Sequence, residues 1–225
     1  MKVLFVTNIV SPNTVYLFNE IYKSAPEVFV LYTRKFSVGR SYNHFHEVAH
    51  PHRILKEISI KNHLYLNYEI WTLFRQVRHA ECVVIAQLSN PTYVLCAIFA
   101  KMLGKKVIYW GEAVSKVEFE ERPIFTSKIG LWVRRSVIRA YRSLIDEVWP
   151  IGEKCLLSLR KEAFAQAHKF FYYYSDLSVF LNARNTTIHQ REEFKFIFIG
   201  SLTYRKGFDL ILEAAERLSQ QGIQF

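Results

Sequence analysis

The chain has 225 residues, half of them hydrophobic and 16% aromatic, which is enough to bury a core and excludes an intrinsically disordered protein. Its formal net charge of +10 indicates anionic partners: phosphorylated substrates, anionic lipid or nucleic acid. The short apolar start predicts no signal peptide, and the longest apolar stretch, residues 92–103, is too short to cross a bilayer. Three separated cysteines (Cys82, Cys96 and Cys155) indicate no disulfide framework and favour a reducing, cytoplasmic setting.

Apolar runs of strand length alternate with helical patterns in the first part of the chain. The runs that predict strands are Lys2–Thr7, Val28–Tyr32, Cys82–Ala86, Lys106–Trp110, Glu147–Pro150 and Lys169–Tyr173. One helix is predicted after Ser11-Pro12-Asn13, and another begins near Pro91 and ends at Gly104. Strands separated by helices are typical of a parallel sheet covered on both faces, so we expect an α/β, doubly wound, Rossmann-like fold.

The composition changes along the chain and predicts two domains. Residues 176–193 are polar and read as an interdomain linker, whereas residues 33–66 are poorly periodic and rich in His and Tyr. Residues 194–225 start with an apolar strand pattern that runs through a Gly-containing loop into an amphipathic helix. We therefore expect residues 1–175 to form the first domain, and residues 194–225 to be the first βα unit of a second, truncated Rossmann-like domain.

The turn of this second βα unit carries the strongest set of candidate binding residues. It contains Gly200, Ser201, Arg205, Lys206 and Gly207, directly before the predicted helix. Backbone N–H groups at a helix start, beside a Lys and an Arg, favour a negatively charged group such as a diphosphate. The alternative is a tight strand–helix turn with solvent-exposed basic residues.

A second candidate site follows the predicted strand Lys106–Trp110. In open α/β sheets, ligands bind at the carboxyl ends of strands, where Trp110, Gly111 and Glu112 are expected. Gly111 permits close approach, and Glu112 is the candidate catalytic group acting on an acceptor hydroxyl. The alternative is a Glu that caps a helix or forms an ion pair.

The end of the first predicted strand offers three further candidates for an acceptor cleft. They are Asn8, Ser11 and Asn13, and the alternative for all three is turn and cap chemistry. No G-x-G-x-x-G follows this strand, which argues against a dinucleotide-binding dehydrogenase, and no Walker-type P-loop motif occurs in the sequence.

Four histidines, His44, His46, His50 and His52, form an H-x-H-x3-H-x-H cluster in the poorly periodic segment. Imidazole is a good zinc ligand, but the segment has no cysteine, so a variable surface loop is the favoured interpretation and we predict no metal site.

The pattern of residues 125–145 predicts a helix with an apolar face opposite a basic one. The basic face carries Lys128, Arg135, Arg139 and Arg142, with Trp132 beside it. One interpretation is a solvated helix face, and the other is a surface that lies against anionic lipid headgroups.

Three segments resemble one protein family. Residues 199–211, followed by Glu213-Ala214-Ala215, are similar to the opening of the C-terminal domain in retaining GT-B glycosyltransferases of family four. Residues 146–153 look like that family's last N-domain strand and turn, and residues 175–180 like the entry to its linker. The resemblance implies two Rossmann-like domains of the GT-B type, with the nucleotide-sugar on the C-terminal domain and the acceptor on the N-terminal one.

Carried over to this chain, the resemblance implies that Lys206 contacts the donor diphosphate. Ser201 stands where the family usually has Arg, and Arg205 offers a charge from the side. The family's Glu–seven residues–Glu motif, which grips the donor ribose and sugar, does not occur after this turn, so the fragment alone is expected to be inactive. Neither cofactor nor metal is expected.

The expected function is therefore that of a retaining, metal-independent, hexosyltransferase-type glycosyltransferase. It would use a UDP- or GDP-sugar and a glycan or lipid-linked acceptor in envelope polysaccharide or lipopolysaccharide biosynthesis, and would not bind nucleic acid. The expected location is the cytoplasm, peripheral on the inner face of the cell membrane. The alternatives are a non-catalytic, membrane- or glycan-binding degenerate transferase and a GT-B-shaped sugar epimerase.

Overall fold

In this computed structural model the described residues are 2–35, 47–61, 64–87, 90–112, 136, 139–164, 166–174, 177, 181, 196–200 and 206–223. By spatial proximity the chain divides into two compact units, Met1–Asp176 and Leu177–Phe225.

The first unit alternates strands and helices along the chain. The strands are β1 (Val3–Ile9), β2 (Val28–Arg34), β3 (His52–Ile54), β4 (Glu57–Lys61), β5 (Leu64–Asn67), β6 (Cys82–Ile85), β7 (Lys106–Gly111), β8 (Glu147–Pro150) and β9 (Ala167–His168). The helices are α1 (Pro12–Ser24), α2 (Ile70–His79), α3 (Pro91–Met102) and α4 (Glu153–Lys161), and residues 139–144 are also helical. The second unit contains α5 (Phe208–Gln220).

Seven strands form one parallel sheet in the order β3-β2-β1-β6-β7-β8-β9. The antiparallel hairpin β4–β5 is separate from this sheet. All-parallel sheets require cover on both faces, because their connections place helices there. The predicted α/β architecture is confirmed.

The core has two layers because alternate strand residues face opposite sides of the sheet. Leu4 and Val6 of β1 face the layer that contains α2, α3 and α4. Phe5 faces the other layer, with α1. Because both faces are buried, the strand residues form a continuous apolar run, and this is the reason that the strands could be recognised from sequence.

Local sequence explains where two helices begin and one ends. Ser11 caps α1 through a reciprocal capping box with Thr14, and Asn90 caps α3 by accepting a hydrogen bond from the Thr92 N–H group. Helix α3 ends at Met102, and Gly104 then adopts a left-handed backbone with a φ of 65°. The predicted helix boundaries at Ser11, Pro91 and Gly104 are confirmed.

Three sequence-based expectations need correction. The last strand is the short β9, not Lys169–Tyr173, although the N–H groups of Lys169 and Phe171 still donate to β8 carbonyls. The poorly periodic residues 33–66 contain β3, β4 and most of β5, which the weak periodicity concealed. Residues 196–199 are not in a strand, because no neighbouring strand pairs with them in the described part of the second unit.

Candidate functional site

The strand order of the first unit reverses between β1 and β6. From β1 the chain enters α1, whose Phe18 packs on one face, and from β6 it enters α3, whose Cys96 packs on the other. The two connections diverge at the carboxyl ends of these adjacent strands, and we call this point of divergence, the usual ligand-binding position in an open α/β sheet, the crevice. This edge of the sheet is therefore the candidate ligand-binding edge of the first unit.

The hairpin β4–β5 brings a tyrosine to this edge. The hydroxyl of Tyr65 donates to Oδ1 of Asn8 at 3.2 Å and lies 2.9 Å from Oγ1 of Thr33. The Tyr93 hydroxyl lies 3.3 Å from the same Thr33 oxygen. Burial raises the pKa of Tyr65 further above its usual range, which strengthens the preference for the protonated hydroxyl that donates this bond.

Asn67 connects the hairpin to the sheet and to α3. Its Nδ2 donates to the carbonyl oxygens of Thr33 and Lys56 at 2.8 and 3.3 Å, and its Oδ1 accepts from Oγ1 of Thr92 at 2.7 Å. We call Asn8, Thr33, Tyr65, Asn67, Thr92 and Tyr93 the hairpin network. Because its members are mutually hydrogen-bonded and mostly buried, the network fixes the hairpin over the ends of β1 and β2.

A buried cation lies next to the network. Nε of Arg34, at the end of β2, donates to Oε2 of Glu57 at 2.7 Å, and the guanidinium carbon lies 4.2 Å from the centre of the Tyr65 ring. Its charge is compensated by this carboxylate and by the aromatic face. Neither Arg34 nor the hairpin network, apart from Asn8, was singled out from sequence. The alternation in Leu64-Tyr65-Leu66-Asn67 was the available signal.

The three candidates predicted at the carboxyl end of β7 have different environments. The Trp110 side chain is 1% exposed, packs edge-on against Phe5 and donates from Nε1 to the Phe171 carbonyl at 3.0 Å. It is a core residue and presents no surface to a cleft. Glu112 is exposed at the carboxyl edge, where its backbone carbonyl accepts a hydrogen bond from the Tyr109 hydroxyl at 3.3 Å.

Gly111 is buried and closely enclosed. A Cβ atom built at this position would lie 2.7 Å from Cζ of Tyr109, so any side chain there must displace that ring. The Gly111 carbonyl also accepts from Sγ of Cys155 at 3.1 Å. The glycine therefore allows Tyr109 to reach the segment that carries Glu112.

Gly111→Ala is expected to lower the free energy of unfolding by about 2 kcal/mol, because the added methyl group overpacks the site against Tyr109. Urea denaturation followed by circular dichroism measures the change. Gly104→Ala is the comparison variant. Gly104 has a left-handed backbone but a Cβ there meets nothing within 4 Å, so this substitution introduces backbone strain without steric crowding. If Tyr109→Leu does not relieve the cost of Gly111→Ala, the steric explanation is wrong.

The candidates after β1 fall into two roles. Ser11 is occupied as the cap of α1, with Oγ 3.4 Å from the Thr14 N–H group, and Asn13 is an exposed residue in the first turn of that helix. Asn8 is half-buried at the strand end and accepts from Tyr65. Of the three, Asn8 lies at the crevice and is held in place by the hairpin network.

The described part of the second unit contains a basic helix start. Lys206 is exposed and directly precedes Gly207, which is the N-cap of α5 and has a φ of 69°. Among the described residues no side chain caps this helix, so its first-turn N–H groups have no capping partner there, and Asp209 lies in the same turn. Gly200 is also exposed.

Several predicted site residues fall outside the described part of the chain. These are Ser201, Arg205, Lys128, Trp132, Arg135, His44 and His46. Arg139 is exposed and Arg142 half-buried, both on the helical segment 139–144.

The two described histidines of the cluster have structural environments. His50 is buried between α1 and β2, where its ring bonds Asn19 and Tyr32, and Nδ1 of His52 lies 3.1 Å from the His50 carbonyl oxygen. Over the described ranges, no three His, Cys, Asp or Glu side chains are grouped as metal ligands.

The comparison with solved structures identifies a neighbour in fold. The structure is similar to the crystal structure of Anabaena Alr3699/HepE in complex with UDP and glucose, with a TM-score of 0.53 and 12% sequence identity. The similarity covers 79% of this chain and 45% of HepE, so the matched part spans less than half of that protein. No protein-family model and no curated protein sequence matches the chain.

Together with the seven-stranded parallel sheet, this similarity confirms the predicted fold class, which is α/β, Rossmann-like and of the GT-B type. In the described part of the chain, no helix has the length and apolar character needed to cross a membrane.

Proposed function

We propose that the protein is a glycosyltransferase that transfers a sugar from a nucleotide-diphospho-sugar to an acceptor hydroxyl. The observation that carries the proposal is the start of α5, where Lys206 and Gly207 precede N–H groups that no described side chain caps, in a chain whose fold is similar to that of a protein bound to UDP and glucose. A lysine and a helix N-terminus stabilise the charge that grows on a diphosphate leaving group.

We further infer the roles of individual residues, the mechanism and the substrates from the family resemblance. Glu112 and Asn8 lie on the acceptor side, at the carboxyl edge of the first sheet, and Lys206, Arg205, Gly200 and Ser201 contact the donor. The reaction is retaining and metal-independent, the donor is a UDP- or GDP-sugar, and the acceptor is a glycan or a lipid-linked glycan of the cell envelope.

Lys206→Ala is expected to weaken binding of UDP or GDP by roughly tenfold or more, because one charge-assisted contact to the diphosphate is lost. Isothermal titration calorimetry on the protein measures the affinity at two salt concentrations. Lys154→Ala, an exposed lysine of α4 in the first unit, is the matched control and is expected to leave the affinity unchanged. Equal affinities of wild type and Lys206→Ala would refute the role of Lys206.

One observation favours a second candidate, a non-catalytic degenerate transferase. Asp209 places a carboxylate in the first turn of α5, where it competes with an anionic ligand for the same N–H groups. Asp209→Asn distinguishes a nucleotide-binding transferase from a degenerate one that binds no nucleotide. The substitution strengthens nucleotide binding only if the diphosphate uses this helix start.

A sugar epimerase is distinguished by its product. Mass spectrometry and NMR of the products separate a transferred sugar from an epimerised nucleotide-sugar.

A further inference from the structure

Helices α2 and α3 expose a continuous apolar surface on the outside of the first unit. Trp71 is 75% exposed, Met102 is 73% exposed and Ile98 is 36% exposed. The rings of Trp71 and Phe74 stack at 5.5 Å between centroids, and Phe74 packs edge-on against Phe99 of α3 at 5.3 Å. We call Trp71, Phe74, Ile98, Phe99 and Met102 the α2–α3 surface.

The helix periodicity explains why this surface points away from the core. Leu73 and Val77 of α2, and Cys96 and Ala100 of α3, are buried on the inner faces of the two helices. Trp71 and Phe74 are three residues apart on α2, and Ile98 and Met102 are four apart on α3, so each pair lies along one ridge. Exposure of this kind on a monomeric protein indicates an interaction surface.

The charges around the α2–α3 surface identify the type of partner. Arg75 and Arg78 are exposed on α2, one and two turns beyond Trp71, and Lys105 follows α3. None of these three cations takes part in an ion pair within the described residues, whereas Lys101 is neutralised by Asp146. An apolar patch with an exposed Trp and a basic rim complements a bilayer surface with anionic headgroups.

We propose that the α2–α3 surface docks the protein on anionic membranes. Trp71 and Met102 enter the boundary between headgroups and acyl chains, and Arg75 and Arg78 contact the lipid phosphates. The helices lie on the membrane and do not span it. This proposal does not depend on the assignment of Lys206, and it places the contact on different residues from the basic helix that includes Arg139 and Arg142.

The test is flotation of the purified protein, without nucleotide, with two vesicle types. One is phosphatidylcholine alone, and the other contains about one-third phosphatidylglycerol. Wild type is expected to float with the anionic vesicles. Trp71→Ala lowers the bound fraction at limiting lipid about tenfold, because the largest apolar anchor is lost, and Arg75→Glu/Arg78→Glu lowers it at least as much.

The matched controls change the same charge elsewhere. Lys154→Glu/Arg160→Glu on α4 leaves binding within about twofold of wild type, because those cations lie on another helix. Trp71 and the substituted arginines are exposed, so circular dichroism and thermal unfolding are expected to match wild type. In addition, subtracting the tryptophan fluorescence of the Trp71→Phe variant from that of wild type isolates the emission of Trp71. This emission is expected to shift to the blue when anionic vesicles are added.

Three outcomes would overturn the proposal. The first is loss of flotation in Arg139→Glu/Arg142→Glu while the Trp71→Ala protein still floats, which assigns the contact to the other helix. The second is a Trp71-dependent dimer in light scattering without vesicle binding, which assigns the surface to a second copy. The third is equal binding to neutral and anionic vesicles, which removes the role of Arg75 and Arg78.

Discussion

Asn67→Ala is expected to lower the free energy of unfolding by about 3 kcal/mol, because it leaves buried polar groups without partners. The Asn67 side chain satisfies the carbonyls of Thr33 and Lys56 and the hydroxyl of Thr92. Without Asn67, these polar groups remain buried but have lost a hydrogen-bond partner. The desolvation cost of each such group exceeds the net stabilisation that its hydrogen bond contributed. Chemical denaturation measures the change.

A double-mutant comparison gives this prediction a sharper form. Thr92→Val removes the group that donates to Asn67, so part of the cost of Asn67→Ala is recovered in the double variant. Asn13→Ala is the matched control, because this exposed asparagine lies outside the network, and its effect is expected to stay within about 0.5 kcal/mol. Strict additivity of Asn67→Ala and Thr92→Val would contradict the network.

The protein is expected to lose about 2 kcal/mol of stability between pH 7 and pH 5 through one buried histidine. Burial, with the neighbouring His52, lowers the pKa of His50 from 6.5 to about 4. As the pH falls through 6.5, the His50 side chain takes up a proton in the unfolded chain, whereas in the folded protein it stays neutral until about pH 4. The unfolded state therefore binds more protons in this window, and stability falls with pH.

The hydrogen bonds around His50 explain the preference for the neutral ring. Oδ1 of Asn19 accepts from the N–H groups of Ala49 and His50, so the ring nitrogen Nδ1, 2.7 Å away, must donate to it. Nε2 then accepts from the Tyr32 hydroxyl at 3.0 Å. A second proton on the ring would reverse the bond to Tyr32, whose hydroxyl would then accept, and would place a positive charge in the buried core layer of α1.

Unfolding measured from pH 7 to pH 5 checks the prediction. The slope is expected to flatten in His50→Gln and to remain in His168→Gln, because His168 is exposed. A His50→Gln variant with the full wild-type slope would assign the pH dependence to other groups.

Much of the fold could be predicted because buried parallel strands are continuous apolar runs. Val3–Ile9 and Cys82–Ile85 are such runs, and Ser11 and Asn90 mark helix starts through local chemistry alone. The hairpin could not be predicted because its strands are short and their residues alternate between two faces, with Tyr65 buried and Leu66 exposed. Such a segment is too short to show a clear hydrophobic periodicity.

The candidate site was harder to predict than the sheet. Asn8 could be placed at the crevice because the carboxyl ends of strands are set by topology. Its partners Tyr65 and Thr33 come from distant segments, and no local pattern links them. Trp110 shows the opposite problem, since a strand-end aromatic residue is equally suited to a cleft and to a core, and packing by Phe5 and Phe171 decides the outcome.

The interior position of β1, with a neighbouring strand on each side, has a consequence for how the protein folds. Val3 pairs with Val28 on one side and with Cys82 on the other, so the second pairing closes a much longer loop than the first. High contact order of this kind slows folding, because the entropy of loop closure is lost before the pairing compensates for it. We expect β1, β2 and α1 to associate early and the half of the sheet from β6 onward to join in the rate-limiting step.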